Sequence, residues 1–305
     1  MKTLVIINPC SRSAKKSKLE AIIRRRFASL NFKIAKTSYP GHAAEIAIWA
    51  VRENYDTVVA VGGDGTVNEV VNGIFGSNIT LGIIPAGTAN DLATYCDLTQ
   101  DIQMACDAII NRQVRSIDVI EVNGYYFVTS GGVGFPAVVA AIANSIKSYG
   151  LIGRIAGKIF SSRLYVIAAL WAIFIRYKRQ NLLKVGFNGA SFNCNAFLLL
   201  INNQPFLGKQ FLVAPGAVNN DGKFDVCLIE NHRSRWGEIS ILLKVLSGKH
   251  VGSQGVKVWQ ADDIVITGET PQLFLGDGEV LGKTKECKIR LIPHALNVIV
   301  PTMNS

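Results

Sequence analysis

Two glycine-rich segments carry residue types suited to holding phosphate. Residues 58–69, Val58-Val59-Ala60-Val61-Gly62-Gly63-Asp64-Gly65-Thr66-Val67-Asn68-Glu69, pass from an apolar run through a glycine turn straight into a helical pattern. Glycine lets the backbone approach an anion closely and adopt positive φ. The N–H groups that open a helix then face negative charge, aided by the helix dipole. Asp64 would repel phosphate directly, so its place in such a loop is to organise Mg²⁺ or its waters. The alternative is a tight strand-to-helix turn in which Asp64 is a cap. A second segment, Gly82-Ile83-Ile84-Pro85-Ala86-Gly87-Thr88-Ala89-Asn90-Asp91-Leu92-Ala93, again leaves a strand-like run and opens a helix. In a parallel sheet, loops at the carboxyl ends of neighbouring strands converge on one ligand, so the pair predicts a wall around a polyphosphate. Two further segments carry carboxylates: Asn219-Asn220-Asp221-Gly222 has the composition of an ordinary turn, and Asp277-Gly278, followed by Glu279, that of a hairpin turn.

These loops need strands and helices to hold them. Strand-like runs over Thr3–Asn8, Phe32–Thr37, Thr57–Val61 and Leu81–Ile84 alternate with helical patterns over Lys15–Leu30, Ala43–Arg52, Thr66–Ile74 and Ile102–Ile110. Such alternation predicts an α/β domain with a parallel sheet. Near Asp118 the pattern changes. Asn123-Gly124 and Asn188-Gly189 are hairpin signals. Short β-rich segments follow at Phe197–Ile201, Phe224–Ile229, Val256–Trp259, Ile264–Thr267, Cys287–Leu291 and Val298–Val300, with a helical stretch over roughly 162–178. The expectation is an α/β N-terminal domain over 1–122, its parallel sheet binding nucleotide, and a β-rich antiparallel sandwich domain over 123–305.

Composition narrows the partners. The 305 residues carry a formal net charge of +10, which favours anionic ones: nucleic acid, nucleotide phosphates or an acidic membrane surface. The six cysteines form no CxxC pair and no Cys/His cluster with zinc spacing, which predicts buried free thiols in a reducing cytosol. The four histidines are isolated from one another. The N-terminal run MKTLVIINP is too short for a signal peptide. The apolar run Leu164–Ile175 falls short of the roughly 18–20 residues that span a bilayer. A cytoplasmic location is expected.

GGDGTVNEV followed by PAGTANDLA resembles the catalytic domain of the bacterial diacylglycerol kinase and sphingosine kinase superfamily. The GGDGT element is shared with NAD kinases and phosphofructokinases, and the paired PxGTxND loop selects the lipid kinases. The resemblance extends to Phe211–Ala217, to Asp221-Gly222-Lys223-Phe224-Asp225 and to Asp277-Gly278-Glu279, and so spans nearly the whole chain. It implies an ATP-dependent kinase for the hydroxyl of a membrane lipid, with diacylglycerol the leading acceptor and a sphingoid or other lipid the alternative. Gly62, Gly63, Asp64, Gly65, Thr66, Val67 and Asn68 would wrap the ATP phosphates, with Thr88, Asn90 and Thr37 nearby. Asp221, with the carbonyls of Val218 and Lys223, would hold Mg²⁺. Glu279 matches the general base; Asp277 is its neighbour and Asp64 its rival. Asp118 would join a charged network between the domains.

Some positions depart from the family pattern. Where relatives have NPxSG and then Lys, this chain has Asn8-Pro9-Cys10-Ser11 followed by Arg12 and Ser13, so the charge contact of that Lys is either lost or supplied by Arg12, Lys15 or Lys16. The family's GGGF and GFDA elements are here Gly208-Lys209-Gln210-Phe211 and Gly134-Phe135-Pro136-Ala137. A diacyl lipid stays in its bilayer, so the reading includes peripheral attachment to the inner, anionic membrane face, no nucleic-acid partner, and room for a homodimer. Two basic clusters suit that attachment: Lys15, Lys16, Lys18 and Arg24–Arg26, and Lys147, Arg154, Lys158 and Arg163 interleaved with Ile152, Ile155, Ile159 and Phe160. A solvated helix face and core packing are the plain alternatives. Competing functions are a binding protein that keeps the fold without turnover, which would not need Asp64, Asp221, Asp277 and Glu279 together, and a NAD kinase, which the second loop disfavours.

Overall fold

The computed structural model describes residues 2–11, 16–98, 101–139, 181–208, 211–232 and 234–302. Two compact units emerge. The first comprises Met1–Val119, Tyr126–Val128 and Ile292–Ser305, and the second Ile120–Tyr125 and Thr129–Leu291. In this division the chain returns to the first unit for its last segment.

In the first unit β1 (Lys2–Ile7) pairs in parallel with β2 (Asn31–Lys36) and with β3 (Thr57–Gly62). β3 pairs in parallel with β4 (Thr80–Pro85), and Val298 of the C-terminal strand adds parallel pairing beside Leu81. Alternate residues of these runs serve opposite faces. Leu4, Ile6, Val58, Ala60, Leu81 and Ile83 pack in one core cluster with residues of α2 (His42–Arg52) and α3 (Asp64–Ile74). Val5, Ile7, Val59, Val61 and Ile84 pack in another with α1 (Lys16–Arg26) and α5 (Ile102–Asn111). Strands buried on both faces must be apolar throughout, which is why β1, β3 and β4 are so plain in the sequence, whereas β2, paired among the described residues only with β1, alternates between half-buried and exposed residues. The short α4 (Asp91–Tyr95) follows β4.

The second unit is antiparallel. β5 (Gln113–Val122) leads to β6 (Tyr125–Phe127) through Asn123 and Gly124, both at positive φ, as an Asn-Gly type I′ turn requires. β7 (Ser130–Gly134) and β8 (Leu182–Phe187) both pair with β9 (Ala190–Asn202) and with β14 (Asp263–Gly276). The registers put β7 and β8 end to end between those two long strands. The small hairpin β10–β11 (Phe206–Leu207, Phe211–Leu212) follows β9. Beyond β9 the sheet continues through β12 (Phe224–Glu230) to β13 (Val256–Ala261). β14 also pairs with β15 (Glu279–Val300). A helix over Arg235–Val245, α6, joins β12 to β13 and was not anticipated; the helical stretch expected near 162–178 lies outside the described residues. Among the described residues no helix is long and apolar enough to cross a membrane.

Five of the cysteines are buried and Cys10 is exposed, all as free thiols. Burial pushes the thiols of Cys106 and Cys227 up to about 12, which leaves them inert at neutral pH.

Candidate active site

The carboxyl ends of β1, β2, β3 and β4 align by register. Ile7 sits opposite both Lys36 and Val61, and Gly62 opposite Pro85. The loops that leave this edge are tied to one another. Asn8 donates its N–H to the Val61 carbonyl (3.0 Å), Thr37 to that of Ile7 (3.0 Å) and Ala86 to that of Gly62 (2.8 Å). The side chain of Asn8 reaches across as well: its Nδ2 donates to the Thr66 hydroxyl (2.9 Å), and its Oδ1 accepts the Cys10 N–H (2.8 Å).

The two glycine loops touch backbone to backbone. A Cβ on Gly87 would collide with the Cα of Gly63, and one on Gly63 would lie 3.0 Å from the Cα of Gly87. Asp64 spans the same junction: its Oδ2 accepts the N–H of Asn90 (2.8 Å) and its Oδ1 that of Asp91 (2.6 Å). It therefore caps the helix of the other loop, satisfying N–H groups that have no intrahelical partner. Asn90, at φ 53°, closes that loop on itself by accepting the Gly87 N–H (2.9 Å) and donating to the Gly87 carbonyl (3.1 Å).

The expected nucleotide residues divide into two groups. Gly62, Thr66, Val67, Asn68 and Asn90 are buried and build the loops, whereas Thr37, Gly63, Asp64 and Gly65 are partly open and Thr88 is exposed. Val67 packs in the core, and Asn68 donates to the Tyr126 carbonyl (3.0 Å). Those two side chains are engaged within the unit, so the run 62–68 would meet a phosphate there through its backbone and its more open residues. What remains is the N-terminus of α3 behind Gly63, with a polar rim of Thr37 and Thr88. Glu69 was not anticipated. It accepts the N–H groups of Gly41 (2.9 Å) and Ala43 (3.0 Å), and so ties the start of α2 to α3. Asp118 is buried and accepts the His294 N–H (2.8 Å), a partner in its own unit.

In the second unit Asp277 and Gly278 form a two-residue turn at φ 48° and 83°, with Gly276 opposite Glu279. Both residues at positive φ make it a type I′ turn. Asp277 is buried. Its Oδ1 accepts the N–H (2.8 Å) and hydroxyl (2.6 Å) of Thr129, and its N–H donates to the Ser130 carbonyl (3.0 Å). Those contacts hold the turn and leave Asp277 little exposed. Glu279, the residue after the turn, is exposed.

A polar row runs from this turn across the sheet. Ser130 pairs with Asn202, Asn202 with Asp225 and Asp225 with Gln260. Gln260 Nε2 donates to both Asp221 (3.2 Å) and Asp225 (3.4 Å). Burial pushes the Asp225 carboxyl above its ordinary range, Gln260 partly offsets this, and the neighbouring Asp221 charge adds to it. Asp221 also accepts the Lys223 N–H (3.1 Å). Among the described residues no group of three or more His, Cys, Asp or Glu comes together as a metal site, so this carboxylate pair is the nearest approach to one here. Asp225 stands in the quoted stretch Asp221–Asp225 with no role assigned from sequence, and Gln260 was not singled out because only the strand register brings it to them. Arg12, Lys15, Lys209, Gln210 and the basic cluster from Lys147 to Arg163 lie outside the described residues.

The diacylglycerol kinase catalytic domain model matches residues 2–122, and the YegS C-terminal NAD kinase beta sandwich-like domain model matches residues 129–300. A diacylglycerol kinase of Staphylococcus haemolyticus (strain JCSC1435) is 30% identical, over 95% of this chain and 86% of its own length. The chain belongs to the diacylglycerol kinase family. A Bacillus subtilis (strain 168) diacylglycerol kinase is 28% identical over 97% of this chain and 95% of its own. A solved structure from Bacillus anthracis str. Sterne superposes with a TM-score of 0.81 at 23% identity, over 99% of this chain and 98% of that one, and so shares the fold. As a member of the diacylglycerol kinase family, the protein is a phosphotransferase whose acceptor is an alcohol.

Proposed function

We propose that this protein transfers the γ-phosphate of ATP to the free hydroxyl of diacylglycerol, giving phosphatidic acid at an anionic membrane face. The observation that carries the nucleotide half is the contact of the Gly63 and Gly87 loops, braced by Asp64 against the N–H groups of Asn90 and Asp91. The open N-terminus of α3 takes the phosphates, and Thr37 and Thr88 flank them. Asp64 acts by fixing both loops, since amides occupy both of its oxygens.

On the acceptor side Glu279 is the general base. It takes the proton of the lipid hydroxyl as that oxygen bonds to the γ-phosphorus; the bond to the β–γ bridging oxygen breaks and ADP leaves. Asp277 holds the turn that aims Glu279. Asp221, with the carbonyls of Val218 and Lys223 and with Asp225 beside it, would hold Mg²⁺, whose charge would neutralise that carboxylate pair.

Radiolabelled ATP offered with a panel of diacylglycerol, sphingoid base and phosphatidylglycerol in mixed micelles tests the reading. Label is expected in phosphatidic acid. Label in another lipid moves the acceptor assignment, and label in none of them overturns the reading.

A further inference from the structure

Of the two basic clusters expected to meet a membrane, one lies outside the described residues, and in the other, two arginines are paired within the protein. Arg24 and Lys36 both pair with Glu20 (2.8 and 2.7 Å), and Arg26 pairs with Asp107 (3.1 Å). Those contacts hold Glu20 below the usual carboxylate range, Lys36 contributing most. No ion pair of Lys18 or Arg25 is seen among the described residues, so α1 keeps positive charge, but it presents no exposed large apolar side chain to a bilayer.

The helix α6 differs. Residues 238, 241 and 245 share one side of a helix with ~3.6 residues per turn, and 236, 243 and 246 share the other. Glu238, Ile241 and Val245 are buried, the latter two in a core cluster with Phe197, Leu198 and Cys227. The outward side should then be polar. Instead it presents Trp236 (75% exposed), Leu243 (62%) and Leu246 (43%). The apolar surface continues past the helix. Gly248, in the turn after α6, lies against Leu212, which pairs with the exposed Phe206. Charge around it has one sign. Between residues 231 and 255 the single acid is the buried Glu238, while Lys244 and Lys249 are exposed. Outward Trp and Leu ringed by uncompensated Lys match the headgroup region of an anionic bilayer, where Trp prefers to sit and each cation adds attraction.

We propose that the outward face of α6, with Trp236 and Leu243 at its centre, inserts into the anionic bilayer that holds the acceptor. This inference rests on the lipid-kinase reading but is read by binding as well as by turnover. Co-sedimentation with sucrose-loaded vesicles of phosphatidylcholine, with and without about 30% phosphatidylglycerol, is measured for the wild type, Trp236→Ser/Leu243→Ser and Lys244→Glu/Lys249→Glu. The wild type is expected to bind the anionic vesicles. The apolar double variant should bind at least ~10-fold more weakly with unchanged melting, and the charge variant should lose the preference for anionic lipid. On vesicle-borne diacylglycerol the apolar variant should lose turnover in proportion, while turnover of a dispersed short-chain diacylglycerol stays at the wild-type level. Equal vesicle binding by the wild type and the apolar variant overturns the proposal. So does a wild-type dimer in sedimentation that the apolar variant abolishes, since a second copy would then cover the face. A wild type that binds through this face yet phosphorylates no lipid instead sinks the activity reading and leaves the docking surface standing.

Discussion

Glu279 and Asp277 stand two residues apart in different surroundings, and the proposed reading gives them different work. Glu279 is exposed at the start of β15, whereas Asp277 is buried with its Oδ1 on both donors of Thr129. Glu279→Gln keeps the shape and removes the base, so single-turnover transfer should fall ~10²–10⁴-fold with ATP affinity unchanged. Retention of more than about a tenth of the wild-type rate would pass the role elsewhere. Asp277→Asn leaves a carboxamide where one oxygen served two donors, so it should lower the melting temperature as well as the rate, which Glu279→Gln should not do. Thermal melting of the two variants side by side reads this distinction. At this scale the sequence carried the identities of the candidate residues but not their division of labour. The Asp277–Thr129 contact closes across 148 positions, and no local pattern announces it.

Among the elements, the strand-to-helix loops were legible because their requirements are local: an apolar strand, glycines where backbones meet, and a helix start. The brace between them was not. Local pattern offers Asp64 a place on Mg²⁺ or as the cap of its own turn, and the structure has it capping α4 from a neighbouring loop. Asp64→Asn is therefore expected to cost about 1 kcal/mol of stability, in the range of a lost helix cap, and to weaken ATP binding together with rate. Chemical denaturation and nucleotide titration of the same variant check both effects; full stability with lost turnover would return Asp64 to a purely catalytic role. Gly87→Ala attacks the same junction by volume. Its methyl would have to displace the Gly63 backbone rather than a flexible side chain, a cost of ~1–3 kcal/mol typical of overpacking, and ATP affinity should drop while Glu279 is untouched. Helix α6 escaped sequence reading for a related reason. Apolar residues on both its sides erase the ~3.6-residue rhythm by which an amphipathic helix is recognised, and that same erasure marks the outward face as unusual.

At the scale of the molecule, the return of residues 292–305 to the first unit is a long-range event that composition cannot encode, whereas the excess of positive charge is open to inspection. Against that excess stands a local concentration of negative charge, the Asp221–Asp225 pair bridged by Gln260. Its effect on stability has a definite sign. Burial, followed by the nearby Asp221 charge, raises the Asp225 carboxyl above its unfolded value near 3.8, against the opposing Gln260 hydrogen bond. A raised carboxyl favours the fold most when protonated, so its contribution is complete below that unfolded value and is lost as pH rises through the folded one. Asn at this position is neutral throughout. In EDTA, Asp225→Asn should therefore melt above the wild type at pH ~8, and the gap should close as pH falls toward the unfolded value. A cation on Asp221 changes the balance, because it stabilises the ionised pair. Millimolar Mg²⁺ should raise wild-type melting at neutral pH and erase the advantage of the variant, and Asp221→Ala should abolish that response. Differential scanning calorimetry across pH, with and without Mg²⁺, reads every arm. An Asp225→Asn protein that melts below the wild type in EDTA at neutral pH would mean that the carboxylate pair is already compensated by the fold, and no cation would then be needed there.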